Sequence, residues 1–245
     1  MEAANERLQQ ENEELKARQA AAEERSRKAE ARQQADVYKQ AGNKAFQQQR
    51  YDAAVEAYSR ALETTTGDAA FEAVVLCNRA AAQLGAGRCV DAVADCFQAV
   101  DLDPSYAKAR QRRADAYVAM GDFSSAAQDL SMLAEGGVME ARDRLPEVQA
   151  RAQSGSQVNH YMVLGVRQEA HPMDVRQAYR QLALRFHPDK AISPAQKAAA
   201  DALFKLIAQA YSVLSDADRR TAYDASMLRL KYRSRFGSSF GRPAF

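Results

Sequence analysis

The residues best suited to chemistry in this chain are consecutive: His187, Pro188 and Asp189. They place an imidazole, a rigid turn and a carboxylate in one short loop. Nothing nearby turns that set into a catalytic centre. The sequence has no phosphate-cradling glycine loop, no metal-ligand spacing and no nucleophile–base motif, so neither an enzyme nor a cofactor is expected. The elements on either side explain the loop better. Before it, Val175, Tyr179, Leu182 and Phe186 recur at intervals of 4, 3 and 4; after it, Leu203, Ile207, Ala210 and Leu214 do the same. Each set is one apolar stripe of a helix. Pro188 and Pro194 interrupt the pattern between them, which predicts two antiparallel helices joined by a loop. Side chains at the tip of such a hairpin add little to packing and are placed to touch a partner.

Three blocks around the tripeptide carry a family resemblance: NHYMVLGV at 159–166, AYRQLALRFHPDK at 178–190 and LSDADRRTAYD at 214–224. Together they resemble the J-domain of DnaJ-type co-chaperones. The resemblance implies a four-helix domain over 159–224 that binds DnaK-type chaperones (heat-shock protein 70) and stimulates their ATP hydrolysis. His187, Pro188 and Asp189 fall on the family's essential loop. It further implies that a basic face on the helix before the loop docks on the chaperone. Arg176 and Arg180 lie one turn apart there, and Arg185 and Lys190 continue the charge toward the loop. Gln177 and Gln181 stand where many relatives carry lysines, which should slow association more than abolish it.

Ahead of this segment the chain repeats. Units starting near Ala35, Ala73 and Ala107 are offset by 38 and then 34 residues, the longer offset reflecting an insertion at 66–72. A period of about 34 residues of paired helices is the tetratricopeptide pattern. Small residues recur at fixed positions where helices must approach closely: Ala54, Ala92 and Ala126, and Gly42, Ala80 and Ala114. Residues 138–153 should supply a capping helix, which Pro146 either interrupts or restarts. Arg113 and Leu133 occupy positions that smaller or apolar residues often fill, and Gln83 and Gln111 are expected among the polar groups of the groove.

The first helix of each unit lines the concave groove of such a solenoid. On those helices stand Lys39 and Asn43, then Asn78, then Lys108 and Arg112. The set resembles the two-carboxylate clamp of chaperone-binding tetratricopeptide domains. A peptide ending in aspartate offers a side-chain and a terminal carboxylate close together, and Lys, Asn and Arg donors can hold both. The resemblance implies recognition of the EEVD tail shared by cytosolic heat-shock protein 70 and heat-shock protein 90.

Composition bounds the rest. A net charge of +2 argues against a general nucleic-acid binder. No apolar run reaches membrane-spanning length, and the N-terminus has no apolar signal core. Cys77, Cys89 and Cys96 form no CxxC pair and sit within helical patterns, so core thiols in a reducing, cytoplasmic setting are expected. Residues 1–34 are charged and carry only half a heptad seam (Leu8, Leu15, Ala22, Ala29), which predicts a solvated helix. His160 and His171 read as surface or capping residues. Arg151–Gln157 reads as a linker, placed at 154–158 when the modules are bounded.

The sequence therefore predicts an all-α chain: a charged segment at 1–34, a tetratricopeptide solenoid at 35–153, a four-helix J-domain at 159–224 and a basic tail at 225–245. The function the two resemblances imply is that of a co-chaperone for heat-shock protein 70, with heat-shock protein 90 as a second partner, that assists unfolded clients. Two other readings stay open. One is a tetratricopeptide adaptor with an inactive J-domain. The other is an RNA- or ribosome-associated factor acting through the tail, where Arg229, Lys231, Arg233, Arg235 and Arg242 interleave with Tyr232, Phe236, Phe240 and Phe245.

Overall fold

The computed structural model describes residues 2–65, 67–155, 157–190 and 194–236, and all regular structure among them is helical. Eleven α-helices follow in order: α1 (Glu2–Gln47), α2 (Tyr51–Thr64), α3 (Ala69–Gly85), α4 (Cys89–Leu102), α5 (Ala107–Met120), α6 (Phe123–Glu135), α7 (Met139–Gln153), α8 (His160–Leu164), α9 (Pro172–Arg185), α10 (Pro194–Leu214) and α11 (Ala217–Phe236). A short 3-10 turn, Pro188–Lys190, sits between α9 and α10. No helix among the described residues is long and apolar enough to cross a membrane.

Helices α1 to α6 pair in sequence as three tetratricopeptide units. Ala54, Ala92 and Ala126 are fully buried, as are Ala80 and Ala114, so the recurring small residues do mark the close approaches between helices. One further repeat position shows itself in the backbone. Gln49, Gly87, Gly121 and Gly155 follow α1, α3, α5 and α7, and all four have left-handed φ, from 58° to 76°. A turn of that hand suits glycine, because a Cβ crowds the following carbonyl there. The spacing makes α7 the first helix of a fourth, incomplete unit that caps the solenoid. Pro146 lies inside α7 without ending it.

Two buried ion pairs also follow the repeat. Arg79 grips Asp95 at 2.7 and 2.8 Å, and Arg113 grips Asp129 at 2.8 and 2.5 Å, each pair joining the two helices of its unit. In the first unit both positions are alanine, Ala41 and Ala57. Acid and base are thus present together or absent together, as expected where an unpaired buried charge would be costly. Arg113, unusual at its position, is accommodated by this pair and by the Phe97 ring 4.2 Å from its guanidinium. Leu133 is buried in the core.

Helices run up to or across the segment boundaries at three places. Helix α1 runs unbroken from the charged segment into the first repeat, with residues 12–30 exposed. Helix α7 continues to Gln153, so Arg151–Gln153 are helical. Helix α11 continues past Asp224 to Phe236, which makes the first part of the basic tail helical; 237–245, with Phe240, Arg242 and Phe245, lie outside the described residues.

In the C-terminal bundle, Val175 of α9 and Leu203, Ile207, Ala210 and Leu214 of α10 are buried. Tyr179 stacks on Tyr211 with ring centres 4.1 Å apart. This core does not stop at the bundle. It is continuous with Val93, Cys96, Tyr117, Met120 and Leu130 of the repeats. The junction is hydrogen-bonded too, since Asn159 N–H donates to the Met120 carbonyl at 2.6 Å. Repeats and bundle form one packed body.

Candidate functional site

The loop after α9 is held by its own backbone. Lys190 N–H donates to the His187 carbonyl at 3.0 Å, which closes the turn, and Asp189 N–H donates to His187 Nδ1 at 3.3 Å. Proline fixes φ in the first position of that turn and needs no donor there. The His187 ring meets Phe204 of α10 edge-on at 5.8 Å, while the Asp189 side chain is 86% exposed. The result is a rigid turn that presents a carboxylate to solvent. Around it, Arg176, Arg180 and Lys190 are exposed as the sequence implied. Arg185 is exposed as well, and its guanidinium lies 2.8 Å from Asp91 of α4.

The repeat groove contains the second site. Asn43, Asn78 and Arg112 line one recess of about 190 Å³, together with Phe46, Tyr58 and Ala81. Asn43 Oδ1 accepts from the Tyr58 hydroxyl at 2.7 Å and from Asn78 Nδ2 at 3.5 Å. With its oxygen engaged, Asn43 keeps its Nδ2 protons for a ligand. Arg112 donates to the Cys77 carbonyl, which anchors the guanidinium on α3. Gly42 makes the arrangement possible, because a Cβ there would fall 2.6 Å from the Tyr58 ring. The two lysines stand apart from this recess. Lys39 bonds Asp36 at 2.6 Å and lies over the Phe71 ring at 4.9 Å, and Lys108 is exposed with no ion pair among the described residues. The bond from Lys39 holds the Asp36 carboxyl below its usual range, against the opposing effect of burial.

Three residues near these sites escaped the sequence reading. Tyr58 carries no exceptional spacing, and its repeat counterparts are Cys96 and Leu130, so only the departure at that position hinted at a role. Asp36 precedes Lys39 by one turn, a spacing that could have flagged it. Asp91 gave no signal. Two expectations also fail. His160 is not at the surface: it is buried against Tyr223, ring centres 4.7 Å apart, and burial pushes its pKa down. Gln83 is buried rather than lining the groove. His171 does cap, accepting from Met173 N–H while Asp174 accepts from His171 N–H. The three cysteines are free and buried, and burial pushes the Cys89 thiol up to about 11.

Fold and sites together define a helical-repeat protein that carries a J-domain. Residues 159–224 match the family described as DnaJ domain. Over 153 residues the chain is 37% identical to a DnaJ homolog subfamily C member 7 homolog of Dictyostelium discoideum, covering 60% of this chain and 28% of that protein. Over 191 residues it is 32% identical to DnaJ homolog subfamily C member 7 of Homo sapiens, covering 76% of this chain and 38% of that one. The chain therefore spans well under half the length of these relatives. Among solved structures, the first tetratricopeptide domain of Spaghetti (RPAP3) bound to the HSP90 peptide SRMEEVD is similar at 34% identity and a TM-score of 0.45, covering 49% of this chain and 95% of that one. The match to the DnaJ domain is confined to residues 159–224, which follow the repeats.

Proposed function

We propose that the repeats hold the acidic C-terminal peptide of a heat-shock protein 70 or 90 and that the J-domain stimulates ATP hydrolysis by a DnaK-type chaperone. One observation carries the reading: the His187–Asp189 turn is closed by its own backbone and displays Asp189 to solvent within a DnaJ domain. Asp189 would make a charge-assisted contact with the chaperone, and Pro188 would fix the turn. His187 serves as a contact and not as a general base, since hydrolysis takes place in the partner's own site. The chain is then an activator and not itself an enzyme.

The groove complements a terminal aspartate. Asn43 and Asn78 amides and the Arg112 guanidinium supply donors in one recess, and Lys39 and Lys108 add charge outside it. A main-chain carboxylate exists only at a chain end, so such a site selects C-termini. Three buried free thiols support work in a reducing compartment such as the cytoplasm, where unfolded clients would pass between chaperones.

Single-turnover ATP hydrolysis by a heat-shock protein 70 tests the reading. Stimulation is expected with this chain and lost with Asp189→Asn. A peptide ending in EEVD should bind the wild type and lose about tenfold or more in affinity with Arg112→Ala. Absence of stimulation by the wild type would leave a tetratricopeptide adaptor.

A further inference from the structure

The J-domain rests against α4, the second helix of the second repeat, through α8 and α10, and α8 also touches α5. Across this contact Phe97 and Val100 of α4 and Phe186, His187 and Leu203 of the J-domain line an apolar recess of about 440 Å³. At its side Arg185 meets Asp91. The Asp91 side chain is 9% exposed and the Arg185 side chain 51%, so the acid is buried at this contact and the J-domain supplies its counter-charge from the solvent side. Arg185 is the only cation within ion-pair distance of Asp91 among the described residues, Arg79 and Arg88 being paired with Asp95 and Asp52.

We propose that Asp91 is an internal competitor for the chaperone: it latches Arg185, and with it the His187–Asp189 turn, against α4 until an acidic surface of the partner replaces it. The proposal rests on the J-domain reading above and adds a restraint to it. A buried carboxylate without a counter-charge is costly, so Asp91 favours the docked arrangement. Burial also pushes its pKa up, and Arg185 acts against that rise. The latch is nevertheless able to open. Asp91 Oδ1 accepts no aligned hydrogen bond despite the 2.8 Å approach, so charge rather than directional bonding holds the pair. Once the J-domain withdraws, water solvates Asp91 and a chaperone carboxylate can take its place on Arg185. Only the undocked fraction then binds at full strength, which raises the concentration needed for stimulation.

The test uses the full chain, with Asp91→Asn, Asp91→Ala and the charge-retaining Asp91→Glu, each checked for a folded thermal transition. Single-turnover hydrolysis is followed against concentration, and amide hydrogen exchange is followed at 186–190 in the chain alone. The latch predicts faster exchange in the Asn and Ala variants and half-maximal stimulation at about two- to fivefold lower concentration, with Asp91→Glu close to wild type. Unchanged exchange overturns the contact. Faster exchange with unchanged stimulation overturns the restraint. If the wild type itself fails to stimulate, the J-domain reading fails and takes the restraint with it; an active wild type matched by Asp91→Asn refutes the latch alone.

Discussion

In the proposed groove, Asn43 shows how a side chain that would not touch the ligand can orient one that would. Its oxygen is engaged by Tyr58, so its nitrogen is the group left over for a carboxylate. Tyr58→Phe removes that constraint and should weaken an EEVD peptide about three- to tenfold by calorimetry, while the melting temperature changes little. Gly42→Ala has the opposite profile. Its Cβ would meet the Tyr58 ring, and the chain should lose about 1–3 kcal/mol in denaturant unfolding. Gln49 offers a gain, because its φ of 58° is one that glycine adopts freely and its three repeat counterparts are glycines. Gln49→Gly should stabilise the chain by up to about 1 kcal/mol if relief of that crowding outweighs glycine's extra unfolded-state entropy. The proposed clamp positions came from a family resemblance along the first helix of each repeat. Tyr58 was not legible, since its partner lies 15 residues away on another helix and only packing brings the two together.

At the scale of the element, α8 depends on what surrounds it more than on its own sequence. It is five residues long and capped by Asn159, whose side chain accepts from Tyr161 and Met162 N–H. So short a helix has little stability alone. Its first residue, His160, gives its N–H to the Tyr223 hydroxyl, which in turn donates to the Val158 carbonyl. Burial lowers the pKa of His160 from its ordinary 6.5, so between the two values the unfolded chain binds the proton that the folded chain refuses. Stability contributed by the neutral imidazole is present above about pH 6.5 and is lost as pH falls below it. Thermal melts between pH 8 and 5 should show that loss in the wild type and a smaller one in His160→Phe, the difference isolating the histidine from the acid-titrating carboxylates. The sequence displayed the helix through NHYMVLGV but not the burial of its histidine, because Tyr223 lies 63 residues further on. The same reason hid the length of α11: beyond Asp224 the residues show charge and aromatics without a clear apolar stripe, and the pattern alone did not call for a helix.

For the whole molecule, the consequence of one continuous core is mechanical. The sequence separated the modules at a polar stretch, RAQSGSQ, and composition there does resemble a linker. Helix α7 instead runs into it, and the chain that follows is pressed against the end of α5. Asn159 N–H bonds Met120, and Gly121 leaves so little room that a Cβ would lie 2.8 Å from the Gln157 carbonyl. Gly121 also has φ of 76°, so a side chain there is disfavoured twice. Two modules joined by a flexible linker would melt independently; modules sharing a core should melt together. Calorimetry of the wild type should therefore give one transition. Gly121→Ala should lower its midpoint and split it, as the repeats and the J-domain lose the register that couples them. A wild type with two transitions would mean that the shared apolar surface is too weak to couple the modules. Tethering would then act as a loose leash, with the effective concentration of the His187–Asp189 turn at a groove-bound chaperone set by chain length. With a single transition, the angle between groove and turn is fixed by the fold. A chaperone tail held in the groove must then reach around the solenoid to the turn, or a second chaperone molecule must meet it.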